Sequence, residues 1–333
     1  MPLRIIDVNL NRLDESLKLI EDITRFQLEQ RQLLTQIRKI RIDFLDLKKA
    51  LPLTKIIGSR RSQKDLGRKK KFDSSRGKDQ TGLMLATLSR AKESSRIIEE
   101  TLKTVHPHLS NKAKKIRFQI YDLEKGIVVH YTKKFDPSLH AIIDEKYMGQ
   151  LDLVRTVKTM VDNGVTMIQL RVKIMKDKDL LRTAKKIRKA IHDPRVKFII
   201  NNRVDIALAC AADGVHVGQT DIPLKEARRI LGDMFILGAS AHNLNEAIRA
   251  ENQDADYLGV GAVFPTSTKH DARVCGLHTL KSISRRVKIP VIAIGGITSA
   301  NYQAVMHAGA AGIAVASFLY EGNLRNKLRS LTH

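Results

Sequence analysis

Apolar residues in the first part of the chain recur every three or four positions, which is the spacing of amphipathic helices. The clearest stripe consists of Leu10, Leu13, Leu17, Ile20 and Ile23. Three further stripes follow before residue 124, and Pro52 and Pro107 end two of them because proline lacks the N–H that the next turn needs. We expect the fourth helix to begin at a Ser110 cap. The pattern predicts an all-α domain over residues 1–131.

This helical region contains an internal repeat. Residues 9–22 align without gaps on residues 87–100, with identical residues at six of 14 positions. The identical pairs are Leu10/Leu88, Arg12/Arg90, Glu15/Glu93, Ser16/Ser94, Ile20/Ile98 and Glu21/Glu99. The similarity predicts a duplicated helical unit, although amphipathic helices also resemble one another by chance.

After residue 137 the pattern changes, and short apolar runs alternate with helical stretches. Eight runs are strand candidates: 139–143, 165–170, 197–200, 214–217, 235–239, 256–261, 290–295 and 312–317. Several are apolar throughout, as expected of strands buried on both faces. Repeated strand–helix units favour parallel pairing, and eight of them predict an α/β fold, a closed TIM (β/α)8 barrel over residues 138–333 after a linker at 132–137. An open doubly wound sheet is the alternative.

Composition excludes several classes of protein. With only two cysteines, Cys210 and Cys275, the chain has neither a disulfide scaffold nor a four-cysteine zinc site. The absence of Trp and the 5% aromatic content argue against a stacking platform for single-stranded nucleic acid. No apolar run approaches the roughly 18 residues of a membrane span, and the amino terminus lacks a signal-peptide core. We therefore expect a cytoplasmic protein that has no membrane partner.

The formal net charge is +24, and the densest basic segment lies within residues 58–82. Such a charge attracts anionic partners without selecting among them. The segment lacks helical periodicity, and Phe72 is its only aromatic residue. A solvated loop is therefore favoured over a patch that binds nucleic acid or membrane.

A barrel of this kind places its active site at the carboxyl ends of its strands. The polar and small residues at these positions are Gln169, Arg171, Lys173, Asn201, Asn202, Asp221, Ser240, Thr266, Ser267, Thr268, Lys269, Gly295, Gly296, Ala316 and Ser317. They include many hydrogen-bond donors and cations, one carboxylate and no Ser–His–Asp or Cys–His arrangement. The set suits phosphate oxygens and a divalent metal, which indicates phosphate chemistry.

Several of these residues have an alternative, structural interpretation. Strand alternation places Gln169, Arg171 and Lys173 on one face, where ligand binding is favoured over a salt bridge at the rim. Asn202 and Asp221 offer oxygen ligands for Mg²⁺, but both residue types are also common in turns. We interpret two histidines near this end, at positions 216 and 242, as structural hydrogen-bonding residues rather than catalysts.

The second half resembles the thiamine-phosphate synthase family. The matching segments are IQLRVK, FIINNRVDIALACAADGVHVGQTD, LGASAHN, ADYLGVGAVFPTSTKHDA, IPVIAIGGI and AGAAGIAVAS. The resemblance implies a β/α barrel that uses Mg²⁺ and joins a pyrimidine diphosphate to a thiazole phosphate, or to its carboxylated precursor. The products would then be thiamine phosphate and diphosphate, and the partners would be phosphorylated small molecules.

The resemblance also implies roles for individual residues. The pyrimidine diphosphate would be held by Gln169, Arg171, Lys173, Asn201, Ser240 and Lys269, of which Arg171, Lys173, Ser240 and Lys269 would be catalytic. The thiazole phosphate would be held by Thr266, Thr268, Gly296, Ala316 and Ser317. Magnesium would be held by Asn202 and Asp221, and Asn202 stands where the family usually has Asp, so one charge is lost.

The helical half resembles the amino-terminal extension of longer, cyanobacterial-type members of this family. The segments that carry this resemblance are DVNLNRLDESLKLIEDITRF, near the start of the chain, and YDLEK. Self-association is the use we expect of it. Two alternative functions are a thiazole tautomerase, which would not need the complete diphosphate set, and a non-catalytic binding or assembly protein that uses the basic helical half.

Overall fold

In a computed structural model, the chain divides into two compact units, Met1–Tyr131 and Thr132–His333. The structure describes residues 2–60, 80–149, 151–266 and 273–331. Within these ranges no helix is long and apolar enough to cross a membrane.

The first unit is helical, as predicted. Its α-helices are α1 Pro2–Ile23, α2 Arg31–Lys49, α3 Leu53–Gly58, α4 Gln80–Val105 and α5 Pro107–Lys133, and a π-helical turn, Thr24–Leu28, follows α1. The predicted stripe from Leu10 to Ile23 is buried in the core of this unit. Because each helix buries one apolar face against the others, packing stabilises the helices more than intrinsic propensity does.

Three sequence predictions in this unit are wrong at their boundaries. The helix expected to begin at Ser110 begins at Pro107, whose fixed φ suits the first helical turn. It continues to Lys133, so the linker expected at 132–137 is shorter. The loop expected over 58–82 overlaps the ends of α3 and α4, and residues 61–79 of it lie outside the described residues.

The second unit is a closed barrel of eight parallel strands, each paired with the next and the last with the first. The strands are β1 Leu139–Asp144, β2 Met167–Arg171, β3 Lys197–Asn201, β4 Gly214–Val217, β5 Ile236–Ala241, β6 Tyr257–Gly261, β7 Val291–Ile294 and β8 Gly312–Val315. The TIM-barrel prediction is confirmed, and the open-sheet alternative is wrong.

Helices connect the strands along the outside of the barrel. They are α6 Glu145–Met148, α7 Leu153–Asp162, α8 Asp177–Ala190, α9 Val204–Ala209, α10 Leu224–Leu231, α11 Leu244–Asn252, α12 Gly276–Arg286, α13 Tyr302–His307, the 3₁₀-helix Ser317–Tyr320 and α14 Leu324–Arg329. Side-chain caps set where some of them begin, since the Asp152 carboxylate accepts from the first backbone N–H groups of α7 and Asn243 does the same for α11.

The interior of the barrel is filled by side chains and is not a pore. Its apolar layer contains Ile142, Met167, Ile199, Ile236, Tyr257, Ile292 and Ala314, against which Phe135 packs. Two interior glycines make room for rings. A Cβ atom at Gly238 would lie 2.2 Å from the Tyr257 ring, and one at Gly259 would lie 2.8 Å from the His216 ring. The strands therefore need glycine at both positions.

In the helical unit, α1 and α4 carry the two repeat segments and pack against each other. Each has a buried glutamate that pairs with arginine on the following helix. Glu21 accepts hydrogen bonds from Arg38 and Arg41, and Glu99 accepts one from Arg117 at 2.6 Å. The duplication itself stays a prediction.

We expect Arg117→Met to lower the free energy of unfolding by about 3 kcal/mol, because it leaves the buried Glu99 carboxylate without its closest partner. Arg38→Met is the matched control and should cost less than about 1 kcal/mol, since Arg38 is half-exposed and Glu21 keeps Arg41. Urea unfolding followed by the helical circular dichroism signal measures both changes. Equal losses of unfolding free energy in the two variants would contradict the importance of Arg117 for the buried Glu99.

Candidate active site

A cavity of about 410 Å³ lies among the strand ends and the loops that follow them. Every predicted site residue that the structure describes lines it, namely Gln169, Arg171, Lys173, Asn201, Asn202, Asp221, Ser240, Thr266, Gly296, Ala316 and Ser317. Thr268 and Lys269 lie outside the described residues. Barrel closure thus brings residues from seven different strand ends to one cavity.

Arg171 and Lys173 form the cationic side of this cavity, and acidic residues at the end of β1 hold them. Arg171 donates to the buried Asp144 carboxylate. Glu145 accepts from the backbone N–H groups of Lys173 and Ile174, each at 2.8 Å. The salt bridge that we treated as the alternative for Arg171 is therefore present. It leaves other guanidinium N–H groups for a ligand, since arginine has five donors.

Sequence reasoning missed both acidic residues. Burial opposes ionisation of Glu145, but backbone N–H groups of the loop after β2 outweigh it and lower the pKa of the carboxyl group. A charged pair directly after the apolar run of β1 was the available signal. Asp144 fixes the direction of the guanidinium group, and Glu145 fixes the loop after the strand. Less entropy is therefore lost when an anion binds there.

The ends of β3 and β4 supply the predicted metal ligands. Asn202 has a φ of 65°, a left-handed conformation that asparagine tolerates better than most residues. Its Nδ2 donates to Asp221 Oδ1 at 2.8 Å, and Asp221 Oδ2 accepts from the Gly218 backbone N–H at 2.7 Å. The structure thus brings Asn202 and Asp221 together.

This pair fits a magnesium ion in its chemistry. A carboxylate and an amide lie within hydrogen-bonding distance, and an amide turned about its terminal bond presents oxygen in place of nitrogen. Mg²⁺ usually takes one or two protein carboxylates and completes its shell with phosphate oxygens and water. Among the described residues no cluster of three or more His, Cys, Asp or Glu side chains could hold a metal, so a metal here would depend on such outside ligands.

The ends of β7 and β8 expose backbone to the cavity. Gly296 has a φ of 64°, and a Cβ atom there would lie 2.4 Å from the Pro265 carbonyl oxygen. The Asn301 side chain donates to the Gly296 carbonyl at 2.9 Å and holds this turn. Ala316 and Ser317 follow β8, where the 3₁₀-helix begins. Barrels commonly bind phosphate between these two strand ends and a short extra helix.

A chain of hydrogen-bonded side chains lies at the floor of the cavity. His216 Nε2 lies 3.0 Å from Ser240 Oγ, and His216 Nδ1 lies 3.1 Å from the Tyr257 hydroxyl. Burial lowers the pKa of His216 to about 4 and that of the neighbouring His140 to about 3, so both are neutral at pH 7. Burial also raises the pKa of Tyr257.

The interpretation of His216 as a hydrogen-bonding residue fits these two contacts, and His242 on the rim bonds Glu246 at 2.9 Å. His140 and Tyr257 were missed. Their only sequence signal was a polar residue at an inward position of an otherwise apolar strand. His140 Nε2 has no hydrogen-bond partner among the described residues.

The groups of this arrangement are suited to anions and polar rings, and its one serine–histidine contact, Ser240 with His216, continues to the Tyr257 hydroxyl rather than to a carboxylate. Cations stand on one side, exposed backbone on another and neutral donors beneath. Such a site can orient two phosphorylated molecules and stabilise negative charge on a leaving group.

Comparison with protein families agrees with this chemistry. The sequence model described as thiamine monophosphate synthase matches residues 139–319, which cover the whole barrel up to the 3₁₀-helix. The model of the ThiD2 family matches residues 4–126 in the helical unit.

Individual proteins are similar over part of the chain or over nearly all of it. A thiamine-phosphate synthase of Clostridium acetobutylicum is 44% identical over 198 residues, covering 59% of this chain and 94% of that protein. One from Synechococcus sp. (strain WH7803) is 35% identical over 321 residues, covering 94% of this chain and 90% of that protein. The solved thiamine phosphate pyrophosphorylase of Pyrococcus furiosus is 37% identical with a TM-score of 0.55, covering 61% of this chain and 96% of that chain. The chain belongs to the thiamine monophosphate synthase family.

Proposed function

We propose that the barrel cavity is where this chain carries out the thiamine-phosphate synthase reaction. The enzyme is a transferase that joins 4-amino-2-methyl-5-hydroxymethylpyrimidine diphosphate to 4-methyl-5-hydroxyethylthiazole phosphate, forming thiamine phosphate and diphosphate. The observation that supports the cavity as the site is that every site residue predicted from the sequence and described by the structure lines it. A thiazole tautomerase would not need this complete set of diphosphate-binding groups.

The diphosphate is proposed to bind on the cationic side of the cavity. Arg171, held by Asp144, and Lys173, on the loop that Glu145 holds, supply positive charge to its oxygens. Gln169 is buried beneath them, and Asn201 and Ser240 offer neutral donors from neighbouring strands. Lys269 is a further expected contact, outside the described residues.

The reaction needs the protein to stabilise separated charge and does not need a nucleophile from the protein. The carbon–oxygen bond to the diphosphate breaks with its electron pair leaving on the diphosphate, and the pyrimidine amino group stabilises the methylene cation that remains. The thiazole nitrogen then donates its lone pair to form the new carbon–nitrogen bond. Arg171 and Lys173 stabilise the departing negative charge, and the cavity keeps the two rings in reacting distance.

The thiazole phosphate is proposed to bind between β7 and β8. Gly296, Ala316 and Ser317 offer backbone and hydroxyl groups there, and Thr266 lines the same cavity. Thr268, the remaining expected contact, lies outside the described residues. This placement puts the thiazole phosphate at strand ends other than β2, whose end carries Arg171 and Lys173.

We propose Mg²⁺ as the cofactor, held by Asn202 and Asp221 with diphosphate oxygens. A bound Mg²⁺ would neutralise part of the diphosphate charge. Support for this comes from the 2.8 Å approach of Asn202 to Asp221 beside the cationic strand end. Because only one of the two residues is charged, we expect the protein alone to bind the ion weakly.

We also propose self-association through the helical unit. Its α2 exposes Ile42 and Leu45, one turn apart, with 59% and 46% of their surfaces accessible. Light scattering should find the full chain larger than a monomer, and Ile42→Glu should return it to a monomer. A monomeric parent chain would contradict this proposal. A cytoplasmic location stays a prediction.

Arg171→Ala should lower kcat/KM for thiamine phosphate formation by about 100-fold or more, because it removes a cation from the leaving diphosphate. The assay supplies both substrates and Mg²⁺ and quantifies the product. Arg188→Ala is the matched control, since Arg188 pairs with Asp213 outside the cavity. Near-normal rates in Arg171→Ala would place the diphosphate elsewhere, and no product from the folded parent chain would contradict the function.

Asn202→Asp should tighten Mg²⁺ binding by at least about tenfold, because a second carboxylate next to Asp221 attracts the cation. Titration calorimetry of Mg²⁺ into the full chain with diphosphate present measures the affinity once the heat of Mg²⁺ binding to diphosphate alone has been determined and subtracted. Asn243→Asp is the control because it adds the same charge at the helix cap of α11. Unchanged affinity in Asn202→Asp would show that the pair does not ligate the ion.

A further inference from the structure

We propose that His216 is a positioning residue that fixes Ser240 as a hydrogen-bond donor to the substrate, and that Tyr257 sets the direction of this relay. The inference rests on the proposed placement of Ser240 at the pyrimidine diphosphate. It adds two residues behind that contact, neither of which needs to touch the reacting atoms.

The relay is a continuous chain of side chains across three adjacent strands. Tyr257 on β6 reaches His216 Nδ1, and His216 on β4 reaches Ser240 Oγ on β5 through Nε2. Tyr257 is 1% exposed and His216 9% exposed, so water has little access to either ring. Ser240 is the member with more access to solvent and stands at the cavity wall.

Burial dictates the direction in which the hydrogens point. The Tyr257 hydroxyl hydrogen needs an acceptor, and among the described residues its hydrogen-bond contact is His216 Nδ1. Nδ1 can accept only if it carries no hydrogen, and then the hydrogen of the neutral imidazole lies on Nε2. The His216 Nε2–H consequently donates to Ser240 Oγ, which leaves the Ser240 hydroxyl hydrogen for the cavity.

The reverse direction is unfavourable. If Ser240 donated to Nε2, then Nδ1–H would donate to the tyrosine oxygen, and the Tyr257 hydroxyl hydrogen would be buried with no acceptor in the described part of the chain. Ser240 would also present only lone pairs to an incoming anion. The observed burial therefore selects the arrangement that suits a phosphate oxygen or another acceptor.

The burial of Tyr257 also disfavours a charged His216. A protonated imidazole would donate from both nitrogens, and in this contact the Tyr257 hydroxyl hydrogen would then have no acceptor. The same hydrogen-bond geometry therefore selects both the neutral ring and its tautomer.

The strands are shaped to hold both rings. Gly238 lies beside Ser240 on β5, and a Cβ atom there would overlap the Tyr257 ring. A Cβ atom at Gly259 on β6 would press against His216 Cε1. Packing thus confines each ring to one orientation, as a positioning device requires.

The first test reads the tautomer in the ligand-free full chain, labelled with ¹⁵N-histidine. In nitrogen–proton correlation spectra at pH 7, the His216 signals are assigned by their loss in His216→Leu, because the His140 ring also packs against Tyr257. His216 should be neutral with the hydrogen on Nε2, and its signals should shift in Tyr257→Phe, a variant that keeps the ring. If His216 carries its hydrogen on Nδ1, or is charged, the proposal is overturned.

The second test is a double-mutant cycle in the product assay. Ser240→Ala and His216→Leu should each lower kcat/KM by about 10- to 100-fold, as expected for one hydrogen bond to a charged group, and the double variant should be no worse than either. His216→Gln should restore much of the activity lost in His216→Leu, because its amide can donate to Ser240 from a similar position.

Additive losses in the cycle would show that His216 acts only as core packing and would overturn the proposal. The exposed His192→Gln serves as the control histidine and should leave the rate unchanged. An inactive but folded parent chain would contradict the proposed function instead. The tautomer measurement needs no substrate, so the two failures are distinguishable.

Discussion

Closure of eight parallel strands into a barrel is the constraint on which the site depends. Parallel strands all end at the same rim, so residues as distant in sequence as Asp144 and Ser317 come to line or support one cavity. The apolar layer around Ile199 and Ile292 closes the barrel interior below this rim. Polar residues above that layer can therefore be concentrated on one side without exposing the core.

Concentrating cations at a rim has an electrostatic cost that the barrel offsets locally. Asp144 pairs with Arg171, while Glu145 accepts hydrogen bonds from the loop that carries Lys173. Asp144 ends β1, and Glu145 directly follows it; β1 is the strand next to β2. The acidic pair keeps the cations in place before any ligand arrives, and the unused guanidinium donors remain for an anion.

The sequence was sufficient for the architecture because each element depends on a local pattern. Apolar runs such as GVHV and GIAVAS predicted β4 and β8, and the helical stripe from Leu10 to Ile23 predicted the buried face of α1. Helix boundaries were less predictable: Pro107 and Ser110 are both good helix starts, and tertiary packing decides between them. The strand-end residues could be predicted from topology alone.

The supporting residues could not be predicted in this way. In the sequence Asp144 is an ordinary acid at the end of a strand, and only the pairing of β1 with β2 shows that it lies beside Arg171. Tyr257 is an ordinary strand aromatic, and only the packed structure shows that Gly238 makes room for its ring. Such pairs join segments far apart in sequence, so a single sequence carries little signal for them. The residues that touch ligand follow from the fold class, whereas the residues that hold them follow only from the packed structure.

Two residues that distinguish this cavity, Asn202 and His216, both bear on its charge balance. Asn202 leaves Asp221 as the single carboxylate of the predicted metal pair, so less negative charge faces an incoming diphosphate. A neutral His216 adds no charge but, through Ser240, contributes a directed donor. The site thus offers an anion fixed cations on one side and oriented neutral dipoles on the other. Neutral dipoles of this kind need no counter-ion when the ligand departs, and they therefore suit a reaction in which the diphosphate must first be held and then released.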